Sequence, residues 1–234
     1  MSGETAAVEI PIEAPRLRRA QPLTIRLTHW LNVPLIVLMA ASGLQIFYAY
    51  PYLGPRGALY PWYPLQGAPP PDWMRFGGWL AGARHWHFAL AWFLAINGAI
   101  YLVYFFASGE WRRRLFLPRR DALDAMRMFA YYAHLTGTPP PEGFYNGLQR
   151  LAYTCVIAIG IAMVLSGLAI YKPVQLHWLA ALFGGYDGAR VVHLAGLVIL
   201  AMFLVTHLVL VAAHPREIIR MITGGPRAAL DKPS

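Results

Sequence analysis

The stretch that decides the fold is residues 191–213, VVHLAGLVILAMFLVTHLVLVAA, which holds no Lys, Arg, Asp or Glu but carries two histidines, His193 and His207. A hydrocarbon core about 30 Å thick needs about 20 apolar residues in helical form, and this stretch is long enough. Residues 30–50, 88–107 and 151–171 are comparable in length and also free of those four residue types. Backbone polar groups cannot be left unpaired in lipid, so each stretch closes its hydrogen bonds internally as a helix. The predicted fold class is therefore an all-α membrane protein, a bundle of four transmembrane helices. Composition agrees, because 57% of the 234 residues are hydrophobic and 13% are charged, whereas a soluble domain carries about one quarter charge. The first span is too long for the apolar region of a signal peptide and follows a polar stretch, so it reads as a retained anchor.

Charge placement orients the bundle. The 20 Lys and Arg exceed the 11 Asp and Glu, for a net charge of +9. Fifteen of the cations, including Arg16, Arg18, Arg19 and Arg26, fall before the first span, between the second and third, or after the fourth. Only Arg56, Arg75, Arg84, Lys172 and Arg190 lie in the other two connections. The positive-inside rule then makes both termini cytoplasmic. Topology accounts for the basic excess, and no compact basic patch is left to suggest a nucleic-acid partner. The domain reading is a cytoplasmic tail at residues 1–21, a four-helix domain at 22–216 and a second tail at 217–234.

The connections differ in character. Residues 51–84 contain seven prolines together with Tyr52, Tyr60, Trp62, Tyr63 and Trp73, which suits a rigid interfacial structure able to serve as a docking platform. In residues 121–135, Leu123, Met126, Phe129 and Ala130 recur at helical spacing, predicting an amphipathic helix along the headgroups. Residues 174–183 are apolar but too short to span, and read as interfacial.

Ionisable side chains in or beside membrane spans are costly and mark functional interiors, which directs attention to the histidines. The fourteen residues from His193 to His207 are close to four helical turns, so both lie on nearly one face, about 21 Å apart along the axis. His29 opens the first span from the cytoplasmic side, and His85 or His87 opens the second from the outer side. Depth alone pairs His29 with His207, and His87 or His85 with His193. Two imidazoles at each of two depths suit the axial ligands of two b-type haems. Protein ligands on both faces of the iron leave no open position, which favours electron transfer over oxygen chemistry. The single cysteine, Cys155, excludes an intramolecular disulfide, a four-thiolate cluster and C-x-x-C-H haem attachment. Two positions apart on a helix, His85 and His87 point about 200° apart. Small residues, Ala91 and Gly98, share the His87 face and favour His87, with His85 left as the alternative. Gly43, fourteen residues after His29, sits at the outer depth, where it suits either a passing macrocycle or a close helix contact.

At these residues the chain resembles the prokaryotic cytochrome b561 family, the membrane subunits of formate dehydrogenase, nickel–iron hydrogenase and thiosulfate reductase. The resemblance rests on R-x-x-H-W at residues 26–30, W-H-F at 86–88, Y-N-x-x-Q-R at 145–150 and the His193/His207 spacing. It implies a diheme cytochrome b of the bacterial inner membrane that carries electrons between the quinone pool and a periplasmic redox subunit. That partner would be a molybdopterin oxidoreductase, with a hydrogenase or a c-type cytochrome as alternatives. The resemblance also implies an exchangeable quinone at the cytoplasmic haem, where Asn146 and Gln149 either contact it or cap the third span. Leu148 stands where the formate dehydrogenase motif has glycine. Haem propionates call for cations, and Arg26 and Arg150 inside, with Arg84 and Arg190 outside, are the candidates. A competing function is a self-contained quinone-coupled oxidoreductase of a small diffusing species such as superoxide. A third, a haem-free transporter relaying protons through histidines, is disfavoured because the spans hold no carboxylate.

Overall fold

The computed structural model describes residues 21–138 and 145–225. Most of the two tails, with Arg16, Arg18 and Arg19, lie outside the described residues. In chain order the helices are α1 (Leu23–Tyr48), α2 (Leu80–Ala107), α3 (Trp111–Arg114), α4 (Pro118–Tyr132), α5 (Gly147–Tyr171), α6 (His177–Leu182), α7 (Gly185–Ala213) and α8 (Arg216–Thr223). The four longest are apolar enough to cross a membrane and correspond to the four spans read from the sequence. Each starts earlier than its apolar stretch does. Hydropathy marks only the part in lipid, and a helix continues through the headgroup layer until a local signal stops it. Those signals are Pro22 before α1, the left-handed Gly77–Gly78 pair just ahead of α2, the Asn146 cap of α5 and left-handed Gly184 before α7.

The long helices pack as two antiparallel hairpins, α1 against α2 and α5 against α7, and the hairpins make few close backbone contacts with each other. The end of the bundle where α1 begins and α7 finishes is called the near end below, and the opposite end the far end. Within the first hairpin the buried amide of Asn97 donates to Thr28 O at 2.9 Å and to Asn32 Oδ1 at 2.7 Å. Such a polar bridge fixes the register of two helices where apolar packing against lipid gives little preference.

The short elements close the ends. At the far end α6 seats Leu179 and Ala180 against Ala169 of α5 and Ala189 of α7, matching the interfacial reading of residues 174–183. The proline-rich connection is knit by Gln66, which donates to Leu53 O and Tyr60 O and accepts from Leu53 N, all within 3.0 Å. At the near end α4 takes up the amphipathic stretch, beginning at Pro118 and ending before the last residues expected of it. It docks where α5 begins. There Gly147 lies so close to α4 that an added Cβ would stand 2.5 Å from Ala125 N and from Asp121 O. Four helices of this length and apolarity suit a multi-pass membrane protein.

Candidate functional site

Helical spacing places a histidine at each end of α7, and the other three long helices bring complementary groups to the same depths. At the near end His29 of α1 faces His207, with ring centres 6.2 Å apart and planes at 61°. At the far end His87 of α2 faces His193, at 6.3 Å and 69°. Both pairs therefore join one hairpin to the other across the sparsely packed seam. His85 is exposed and belongs to neither pair. His134, His177 and His214 lie outside both pairs.

The far pair has a built environment. Ser42 Oγ lies 3.0 Å from His87 Nδ1, and Ser166 Oγ lies 3.0 Å from His193 Nδ1. Both serines are fully buried. Each is followed by a glycine pressed against the same imidazole. A Cβ on Gly43 would stand 3.2 Å from His87 Cε1, and one on Gly167 would stand 3.2 Å from His193 Cε1. Gly43 thus gives room to the His87 ring itself, a close contact between α1 and α2. In the near pair His207 stacks on Phe203 at 5.7 Å, and His29 Nδ1 is buried without a partner.

These rings fit an iron held between them. An imidazole–iron–imidazole stack spans about 6 Å between ring centres, from about 2 Å per metal–nitrogen bond and about 1 Å from each nitrogen to its ring centre. The observed separations agree at both ends. Among the described residues no three His, Cys, Asp or Glu side chains gather to hold a metal ion, so a two-donor site needs a metal whose remaining ligands come from a macrocycle. Met163, an axial alternative in principle, packs its sulfur against Gly196 instead.

The candidate cations are placed as follows. Arg26 reaches the last carbonyls of α8, Met221 O at 3.2 Å and Ile222 O. Arg150 pairs with Asp121 at 2.6 Å, its Nε buried and unpartnered. Arg190 donates to Tyr50 O at 3.2 Å and Tyr52 O at 2.9 Å, pinning α7 to the proline-rich connection. Arg84 is exposed, with its head 5.7 Å from the Phe88 ring centre. Asn146 and Gln149 form a reciprocal cap on α5. Asn146 Oδ1 accepts from Gln149 N at 2.8 Å, and Gln149 Oε1 accepts from Asn146 N at 3.2 Å. The cap uses the oxygen of each side chain and not its NH2.

Several site residues escape a reading of spans and charges. The Ser-Gly dipeptide occurs four times, but only at residues 42–43 and 166–167 does it fall inside an apolar span, and that placement is the signal that marks them. Arg114 belongs to a run of arginines that looks like topology charge, yet it is 6% exposed. It donates to Glu110 Oε2 at 3.1 Å and Gln21 Oε1 at 2.9 Å and lies over the Tyr145 ring. Burial disfavours its charge, but Tyr145 and Glu110 outweigh that and raise its pKa.

The prokaryotic cytochrome b561 family model matches residues 20–224. A curated relative from Azospira oryzae, named as a candidate protein-methionine-sulfoxide reductase subunit YedZ1, is 40% identical over 208 residues. The alignment covers 87% of this chain and 95% of that protein. No solved structure matches the chain. Paired histidines across two membrane hairpins and a match along nearly the whole bundle lead to one conclusion: this chain belongs to the prokaryotic cytochrome b561 family of haem-binding electron-transfer proteins of the membrane.

Proposed function

We propose that the chain conducts electrons across the membrane between quinol at the near end and a redox subunit docked at the far end. The observation that carries this reading is the pair of matched histidine couples, 6.2 and 6.3 Å between ring centres, on facing helices. His29 and His207 would hold one b haem and His87 and His193 the other. Bound there, haem iron supplies one-electron chemistry with no open coordination position.

The chain's own residues do the rest. Both termini are cytoplasmic in this reading, because cations concentrate at the near end. Asn146 and Gln149, their oxygens committed to the cap, keep NH2 groups that can donate to a quinone carbonyl. Arg26, Arg150, Arg84 and Arg190 stand at the two ends as cations for carboxylates, three of them already oriented by protein partners. The proline-rich connection, with Trp62 and Trp73 exposed, forms the surface for the outer subunit, a molybdopterin oxidoreductase by the family resemblance. The name of YedZ1 suggests the terminal reaction: a methionine sulfoxide takes two electrons and two protons to give methionine and water. Electrons then run from quinol outward.

The test is a reduced-minus-oxidised spectrum of the protein in mild detergent, with haem and iron quantified per chain and a quinol as reductant. Two low-spin b haems reduced by quinol are expected. A haem-free preparation refutes the reading.

A further inference from the structure

We infer that the Ser42–Gly43 and Ser166–Gly167 pairs are positioning elements that fix the protonation and orientation of both far-end imidazoles and thereby lower the reduction potential of the far haem. This rests on the ligand reading above and goes beyond it. The Ser42 hydroxyl donates to Leu38 O at 2.7 Å, and that of Ser166 is within reach of Met163 O at 3.3 Å. With its own proton spent on the helix, each serine oxygen presents a lone pair to the ring. His87 Nδ1 and His193 Nδ1, both 3.0 Å away, are then the donors, each shared between its serine oxygen and a backbone carbonyl of that serine's helix, Met39 O for His87 and Met163 O for His193. That leaves Nε2 of each ring with the free lone pair a metal needs. A ligating histidine that donates its other N–H to an acceptor becomes more basic, and a more basic ligand favours the higher oxidation state of the metal.

The glycines complete the arrangement by sterics. At 3.2 Å from each Cε1 a Cβ is tighter than an ordinary contact, so any larger residue turns the ring away from its serine. Two helices from different hairpins carry the same dipeptide against the same ring atoms, which makes chance packing a poor explanation.

The near pair is the internal contrast. Neither His29 nor His207 has a side-chain hydrogen bond among the described residues, and His29 Nδ1 is buried unpartnered. The serines thus act on one end only. A far haem of lowered potential is the stronger donor to an outer acceptor.

The experiment is optical potentiometry on the whole protein in detergent, without substrate or partner, with the two haems resolved. The Ser42→Ala/Ser166→Ala double variant should raise the reduced-to-oxidised ratio of the far haem about tenfold at fixed solution potential, about 59 mV for a one-electron couple. The near haem should stay within twofold. Ser42→Thr and Ser166→Thr, which keep the hydroxyl, should restore the original ratio. Gly167→Ala, which keeps both serines, should alter the low-spin electron paramagnetic resonance signal of the far haem alone. Two haems with unmoved potentials in the double variant overturn this inference and leave the proposed function standing. Loss of the far haem that threonine does not rescue also overturns it. Absence of haem from the unaltered protein refutes both.

Discussion

Removing the Asp121 carboxylate should undock α4 from the start of α5. Asp121 is 1% exposed. It accepts from Leu117 N at 2.8 Å, from Arg120 Nε at 2.7 Å and Nη2 at 2.9 Å, and from Arg150 Nη1 at 2.6 Å. Burial pushes its pKa up, but the bonds from Arg120, Leu117 and Arg150 together outweigh that and bring it from 3.8 to about 2. At about 1.4 kcal/mol per unit, the charge alone is worth about 2 kcal/mol to the docked state. Asp121→Ala also strands the Arg150 guanidinium. Breaking a buried pair from one side costs about 3–5 kcal/mol, and we expect the lower end because Arg120 retains water. About 3 kcal/mol corresponds to roughly hundredfold faster amide hydrogen exchange through local opening. The assay is exchange by mass spectrometry over residues 118–132, with the transmembrane helices as internal reference. Because the folded pKa is depressed, this stability is fully present above about pH 4 and is lost as pH falls through about 2. Unaltered protein should lose α4 protection in that window, while Asp121→Asn starts weaker and stays flat across it. Unchanged exchange over 118–132 in Asp121→Ala would refute the reasoning.

Three further outcomes are expected. His193→Ala and His87→Ala should each remove the far haem, and His29→Ala and His207→Ala the near one, halving haem per chain, whereas His85→Ala should keep both. Pyridine haemochrome quantification checks this, and two haems retained in a His193/His207 double variant sinks the assignment. Asn146→Leu breaks the cap, costs about 1 kcal/mol at the α5 start and should slow quinol oxidation several-fold with both haems in place; unchanged quinol kinetics would leave Asn146 a cap only. Gly147→Ala sets a Cβ 2.5 Å from backbone atoms of Asp121 and Ala125 and should lower the thermal midpoint through a loss of about 1–3 kcal/mol.

The spans were legible because hydropathy is a property of consecutive residues, and lipid allows few ways to satisfy their backbones. The histidine depths were legible for a related reason. A helix rises about 1.5 Å per residue, so spacing in sequence converts directly into depth. The Asn146 cap could also be read, since Asn and Gln three positions apart at a helix start satisfy each other locally. Less was available for the arginines. Arg26, Arg150 and Arg190 read as topology charges or propionate contacts, and the partners that hold them, Met221 and Ile222, Asp121, and Tyr50 and Tyr52, lie far along the chain or on another element.

By itself, then, the sequence determined four membrane helices, which histidines share a depth, and which of them can meet. The tertiary structure decided what stands behind those histidines. Ser42 reaches His87 across 45 residues of chain, and Ser166 reaches His193 across 27. Asn97 finds Thr28 and Asn32 across a helix seam. Depth follows from counting along one helix, but which face of one helix meets which face of another depends on side-chain packing between segments that the chain order leaves unpaired.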